Sequence, residues 1–80
     1  MKNISIQYFA MLREKSGKTN EEYQTNSATY AELYSELSHQ YGFDLPLSMI
    51  QVAVNDEYST VDKNIAEGDR VVFIPPVAGG

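Results

Sequence analysis

Residues 67–80 read EGDRVVFIPPVAGG, and this stretch decides the fold. Its middle, RVVFI at residues 70–74, is rich in β-branched and aromatic side chains, which is typical of a strand in the middle of a sheet. Pro75 and Pro76 follow at once, and a proline has no backbone N–H with which to continue a sheet. The stretch therefore predicts a central strand from which the chain exits as an extended tail.

The start of the chain predicts the strand that lies beside this one. Ile4, Ile6 and Tyr8 alternate with polar residues, which is the pattern of a strand with one buried face. Phe9 would then point to the opposite face. Because these first and last strands are the most apolar of the chain, we place them side by side in the middle of the sheet.

Two less apolar segments follow the first strand. The sequence AMLREKSG at residues 10–17 predicts a short helical turn that is closed by Gly17. Residues 18–25 are largely polar but contain a tyrosine and two threonines, so they predict an edge strand that pairs back on the first strand.

The main helix has clear signals at both ends. Thr29 with Glu32 three residues later is a capping-box pattern, and Gly42 stands where a left-handed residue ends a helix. Between them, apolar residues recur at helical spacing and predict one buried face: Tyr30, Leu33, Tyr34, Leu37 and Tyr41.

The remaining segment predicts two more strands and a turn. Residues 49–54 indicate a third strand that ends in the turn residues Asn55 and Asp56. Tyr58 would begin a short fourth strand, and Ile65 would be an apolar plug before the Gly-Asp turn.

This order of elements favours an α+β fold in which one main helix lies across one face of a mixed sheet of four to five strands. That is the β-grasp, or ubiquitin-like, arrangement. We expect residues 1–75 to form the domain and residues 76–80 to form a flexible tail.

Composition excludes several classes of function. The formal charge of −5 argues against binding to nucleic acid or to an anionic membrane surface. The absence of cysteine excludes disulfides and thiolate chemistry. No apolar run approaches the roughly 20 residues of a membrane span, and no secretory signal is visible, so we expect a cytoplasmic location.

No internal active site is predicted. His39 is the one histidine and lies in a polar stretch, as expected for a solvated side chain. Adjacent carboxylates such as Asp56 and Glu57 point apart in a strand or turn and cannot share a site. There is no phosphate loop and no metal-ligand spacing, so we expect no bound metal or cofactor.

The composition of the tail indicates that the tail itself is functional. From Pro76 the side chains shrink through Val77 and Ala78 to Gly79 and Gly80. Five extended residues reach about 16–18 Å, and glycines allow such a thread to enter a narrow tunnel. An enzyme with ATP can convert the Gly80 carboxylate to an acyl-adenylate. A sulfur donor would then produce a thiocarboxylate, whereas an amine would conjugate the protein to a target; the pattern alone leaves both open.

Four segments carry a resemblance to a known family: YFAMLRE, AVNDEY, EGDRVVFIPPV and the final AGG. On these segments the chain resembles, over essentially its whole length, the small subunits of molybdopterin synthase, which are ubiquitin-like sulfur carriers. The sulfur carriers of the thiamine pathway share the fold and the terminal glycines but typically lack the double proline. A carrier for thiamine or tRNA thiolation, and a protein modifier conjugated through Gly80, are the alternatives.

The resemblance implies a mechanism and partners. An adenylyltransferase related to ubiquitin-activating enzymes would use ATP to adenylate Gly80, and sulfur transfer would give a thiocarboxylate. The large subunit of the synthase, in a heterotetramer of two large and two small subunits, would accept the tail. Its own active site would pass the sulfur to cyclic pyranopterin monophosphate, so the small subunit would be a sulfur donor without an active site of its own.

A docking surface follows from the alternation of the strands. If the inward residues of the first and last strands face the helix, Phe9, Val72 and Ile74 fall on the opposite face and form an apolar patch. The resemblance implies that Phe9, Tyr58 and Ile74 contact the large subunit and the activating enzyme. It also implies that Arg13 pairs with a carboxylate of a partner.

Overall fold

The structure, a computed structural model, describes residues 1–76 of the chain. In chain order its elements are β1 (Lys2–Tyr8), α1 (Ala10–Ser16), β2 (Asn20–Thr25), α2 (Tyr30–Tyr41), β3 (Gln51–Val54), β4 (Glu57–Ser59) and β5 (Arg70–Ile74). A 3-10 turn at Leu47–Met49 precedes β3.

The strands form one mixed sheet in the order β2-β1-β5-β3-β4. The first and last strands of the chain run parallel at its centre, with Ile6 opposite Val71 and Tyr8 opposite Phe73. The other neighbouring strands pair antiparallel, and β2 lies at one edge. The predicted β-grasp fold, its central strands and its polar edge strand are therefore confirmed.

One face of the sheet packs against α2 to form the core. The predicted inward residues of the central strands, Ile4, Ile6, Val71 and Phe73, are all at most 2% exposed. On α2 the buried residues are Tyr30, Leu33, Tyr34 and Leu37, and Tyr41 is partly buried. Each such side chain stabilises the fold by about 1.5–3 kcal/mol, so this face is committed to folding.

The ends of α2 follow the sequence signals closely. The Thr29 hydroxyl accepts a hydrogen bond from the Glu32 N–H at 3.2 Å, and Gly42 ends the helix with a φ of 73°. The Glu32 carboxylate accepts a hydrogen bond from the N–H of Ala28 at 2.8 Å. In the usual capping box the donor is the N–H of the N-cap residue, which is one position later. The predicted start and end of the helix are confirmed.

Four elements differ from their predicted bounds. The edge strand β2 begins at Asn20 and not at residue 18, and β4 begins at Glu57, one residue before Tyr58. The third strand begins at Gln51 and not at residue 49, because a 3-10 turn uses the N–H groups of Met49 and Ile50 for bonds to Pro46 and Leu47. The segment after β1 is a helix of seven residues, longer than a single turn, and Gly17 closes it as expected with a φ of 75°.

The turn between β3 and β4 has two left-handed residues. Asn55 and Asp56 have φ values of 52° and 73°, the combination that matches the twist of a two-residue hairpin. The Asn55 side chain accepts from the Arg70 N–H at 2.9 Å and donates to Asp69 at 3.1 Å. These two hydrogen bonds hold the turn against the start of β5.

Asp69 is a buried carboxylate that the sequence did not reveal as a structural centre. It accepts hydrogen bonds from the Tyr30 hydroxyl at 2.6 Å, the Ala66 N–H at 2.8 Å and the Asn55 amide. Burial acts to raise the pKa of Asp69, but these hydrogen bonds outweigh it and hold the pKa below its usual value. Burial also acts to raise the pKa values of Glu21 and Glu36, and hydrogen bonds outweigh it, among them those from the hydroxyls of Tyr8 and Tyr41 to Glu21 and of Tyr23 to Glu36.

We expect Tyr30→Phe to lower the free energy of unfolding by about 1.5–3 kcal/mol at pH 7, because a hydrogen bond to a charged, buried group is lost. The pKa of Asp69 is lowered in the fold, so its contribution is present at neutral pH and is lost as the pH falls through that lowered pKa. The difference between variant and parent should therefore shrink in acid.

Urea denaturation at pH 7 and at pH 3 measures this difference. Tyr58→Phe is the matched control, because the Tyr58 side chain is 75% exposed and its change should leave stability within about 0.5 kcal/mol. An equal loss for Tyr30→Phe at both pH values would contradict the assigned role of Asp69.

Candidate partner interface and tail exit

The base of the tail is anchored in the middle of the sheet. β5 ends at Ile74, which pairs with Gln51 of β3 as the last cross-strand pair. Pro75 is buried and Pro76 is exposed, so the last residue that the structure describes lies at the surface of the domain. Of the residues predicted to thread into a partner, Val77, Ala78, Gly79 and Gly80 lie outside the described residues.

The sheet face opposite α2, here called the outer face, carries a row of side chains in register across four strands. Gln7, Val72, Ala53 and Tyr58 stand opposite one another in turn. Val72 and Ala53 are half-buried, and Tyr58 at the edge is 75% exposed. Ile74 is half-buried and belongs to the same face, two residues further along β5. Within residues 1–76, the apolar side chains of this face therefore remain partly exposed to solvent.

A groove lies where the outer face meets the tail. Its walls are formed by α1 on one side and the end of β5 on the other, and we call it the exit groove; it is lined by Phe9, Ala10, Met11, Glu14, Ile74, Pro75 and Pro76. Phe9 is 42% exposed and Met11 is 44% exposed. Among the described residues that line it, Glu14 is the charged one and the others are apolar.

Phe9 reaches this groove by a different route from the one predicted. It is not a residue of β1, which ends at Tyr8, but the residue that precedes α1. Its carbonyl accepts the N–H groups of Leu12 at 3.0 Å and Arg13 at 3.4 Å, so the start of α1 fixes its backbone. The ring is nevertheless exposed, as the prediction of an outward Phe9 requires.

The predicted partner residues do not all lie together. Phe9, Val72 and Ile74 surround the exit groove and the adjoining outer face, and Tyr58 lies at the far edge of the same face. Arg13 is exposed on α1, and its side chain makes no ion pair with any residue of the described part of the chain.

Sequence reasoning missed Met11 and Glu14. Both lie on the side of α1 away from Leu12, which is 1% exposed and fastens the helix to the core. The one buried residue of a short polar helix determines which side of the helix faces the core. The sequence signal for this orientation was therefore present but weak.

The chemistry that these residues support is binding and presentation. Within residues 1–76, no three potential metal ligands come together, and no helix is long and apolar enough to cross a membrane. His39 is exposed on α2. The buried carboxylate of Asp69 and the half-buried carboxylates of Glu21 and Glu36 each accept hydrogen bonds from tyrosine hydroxyls.

Comparisons with known proteins agree with this arrangement. The model of the ThiS family matches residues 6–80. The molybdopterin synthase sulfur carrier subunit of Escherichia coli (strain K12) is 30% identical over 80 residues, with 96% of this chain and 99% of the relative covered. The protein of the same name from Mycobacterium tuberculosis (strain H37Rv) is 31% identical over 83 residues, with 100% of both chains covered.

Solved structures share the fold. Small archaeal modifier protein 1 of Haloferax volcanii has a TM-score of 0.79 at 22% identity, with 96% of this chain and 100% of that chain covered. A chain in the complex of subunits 1 and 2 of the molybdopterin-converting factor of Helicobacter pylori has a TM-score of 0.66 at 23% identity, with 98% of this chain and 99% of that chain covered.

Proposed function

The chain belongs to the ThiS family, and on that premise we propose that it is the sulfur carrier subunit of molybdopterin synthase. The observation that carries the proposal is the match to two curated carrier subunits over 96% and 100% of this chain. The described fold supports it, because a carrier needs a stable domain, a tail that leaves it and a surface for partners. All three requirements have a counterpart in the sheet, the exit at Pro76 and the outer face.

The proposed chemistry takes place at the carboxylate of Gly80. An adenylyltransferase joins this carboxylate to the α-phosphate of ATP and releases pyrophosphate. A sulfide-equivalent donor then attacks the acyl carbon and displaces AMP, which leaves a thiocarboxylate. The thiocarboxylate sulfur is passed to cyclic pyranopterin monophosphate, and water restores the carboxylate for another cycle.

The domain contributes recognition to this cycle. We propose that the large subunit of the synthase covers the outer face and the exit groove, so that the tail enters its active site. The solved Helicobacter pylori complex of subunits 1 and 2 supports a partner of this kind. We further propose a heterotetramer of two large and two small subunits, and a cytoplasmic location, where ATP is supplied.

Intact mass spectrometry of the chain tests the function. The protein is incubated with ATP, a sulfur donor and the adenylyltransferase of its own host, and then with the large subunit and the pterin precursor. We expect a mass gain of one sulfur minus one oxygen, located on Gly80 by fragmentation and lost again when the pterin and large subunit are added. A thiocarboxylate that persists with this pterin but is consumed in thiamine or tRNA thiolation would contradict the proposal.

A conjugated modifier is distinguished by the same experiment. The fold is shared with the Haloferax volcanii modifier, so the fold itself does not separate the two functions. Adducts of higher mass, in which Gly80 is joined to a lysine of another protein, would favour the modifier. A complex that releases molybdopterin without such adducts would favour the carrier.

Gly79→Val is expected to slow formation or transfer of the thiocarboxylate by at least about tenfold, because a β-branched side chain cannot enter a channel fitted to bare backbone. Its melting temperature should match that of the parent. Ala78→Gly is the control, since it removes bulk at the neighbouring position and should transfer sulfur normally. Normal single-turnover transfer by Gly79→Val would show that no narrow channel surrounds the tail.

A further inference from the structure

Ala10 has an unusual backbone conformation for its residue type. Its φ is 51°, in the left-handed region where a Cβ meets the following carbonyl oxygen. Among residues 1–76, the other non-glycine residues with positive φ are Asn55 and Asp56. Asn and Asp side chains form local hydrogen bonds that help them tolerate this region, whereas alanine has no such compensation. Strain of this kind persists where the surrounding structure imposes it, and often at functional sites.

Two buried anchors impose this conformation. Tyr8, just before the turn, is 0% exposed and ends β1, and Leu12, just after it, is 1% exposed on α1. The backbone must change from strand to helix within the residues between these two anchors. The left-handed conformation of Ala10 makes this change, and the neighbouring side chains of Phe9 and Met11 remain exposed.

The turn faces the base of the tail. Because β1 and β5 are parallel with Tyr8 opposite Phe73, the residues that follow each of them leave the sheet side by side. Phe9 and Ala10 therefore lie beside Ile74 and the prolines, and together they line the exit groove. The strained residue is thus part of the groove that a partner must cover to receive the tail.

We propose that Ala10 is a positioning residue for partner binding. Its left-handed turn holds Phe9 and Met11 apart, so that the exit groove is open to an apolar side chain of the large subunit. The argument for this partner is that Pro75 and Pro76 line the groove and directly precede the residues that the large subunit receives, so the inference rests on the proposed function. A rigid, already formed groove lowers the entropy that binding has to overcome.

Ala10→Gly separates the steric strain at this position from its role in holding the groove open. Ala10→Gly removes the steric strain but frees the turn, so the melting temperature should stay unchanged or rise by a few degrees. The dissociation constant for the large subunit should nevertheless rise about three- to fivefold, as expected for a loosened backbone.

A kinetic readout excludes a merely structural role. In single-turnover sulfur transfer, Ala10→Gly should raise the half-saturating concentration of the large subunit by the same factor and leave the maximal rate unchanged. Gly17→Ala is the control at the other end of α1: its φ of 75° disfavours alanine, so the melting temperature should fall without a change in affinity.

Calorimetric titration with the large subunit and thermal melting of each variant decide the question. Parental affinity for Ala10→Gly, or an equal loss of affinity for Gly17→Ala, would overturn the role of Ala10 and leave the proposed function standing. A parent chain that neither gains sulfur on Gly80 nor binds the large subunit would overturn both the role of Ala10 and the proposed function. The measurements on the parent chain alone reveal that outcome.

Discussion

A chain that lacks Gly80 is expected to transfer no sulfur and yet to melt at the same temperature as the full chain. Gly80 has no side chain that could pack against the core formed by residues 1–76, so its removal should leave the melting temperature unchanged. The reactive carboxylate, however, is drawn back by one residue, or about 3.5 Å. A misplacement of about 1 Å can already cost about 10²-fold in rate, so this displacement should abolish the reaction.

The measurement combines melting with the intact-mass assay. Extension of the chain by one alanine after Gly80 is the complementary variant, because it keeps every native residue and moves the carboxylate the other way. Both variants should bind the large subunit, since the outer face is unchanged. Sulfur transfer by either variant would mean that Gly80 does not carry the sulfur, and a fall in melting temperature would mean that the tail is part of the fold.

Ile74→Asp is expected to weaken binding of the large subunit at least about 30-fold. Ile74 is half-buried in the free domain, lines the exit groove and belongs to the outer face. An apolar anchor at the centre of an interface commonly contributes 2 kcal/mol or more, and an unpaired carboxylate enclosed there adds a desolvation cost. In the free domain the same carboxylate remains accessible to water beside Gln51, so the fall in stability should be small.

Val71→Asp is the matched control on the same strand. Val71 is 0% exposed on the opposite face, so its change places a charge in the core and should unfold the domain. Melting of each isolated variant beside its affinity for the large subunit tests both expectations. A well-folded Ile74→Asp that binds with parental affinity would rule out the outer face as the docking surface.

The elements that could be predicted are those whose signals are local. The inward alternation of β1, the apolar run of β5 and the caps of α2 each lie within a few residues, and each has a direct physical meaning. The central pairing of β1 with β5 followed from their apolar character alone. A central strand has a hydrogen-bonded neighbour on each edge, and the sheet order places β5 between β1 and β3.

Features that depend on distant contacts could not be predicted. Tyr30 and Asp69 are far apart in the chain, and no local pattern marks them as a hydrogen-bonded pair. The same holds for Ala10, because alanine signals a helix and only the two buried anchors around it impose a left-handed turn. The sequence places residue 49 in the third strand, whereas its N–H is bonded to Pro46 within the 3-10 turn and is therefore lost to the sheet.

The candidate site was predictable in outline only. The tail was evident from its glycines and prolines, and the outer face followed by elimination once the inward face was assigned. Met11 and Glu14 were missed, since their exposure depends on the rotation of α1 that Leu12 fixes.

The position of β5 also determines how the domain responds to force. This strand is hydrogen-bonded on both sides, to β1 and to β3, and it ends just before the chain leaves at Pro76. A partner that grips the outer face and draws the tail inward applies tension along the strand. Its ladder bonds run across that direction, so they resist together in shear and do not open one by one from an end. We therefore expect the domain to stay folded through repeated insertion and withdrawal of its tail.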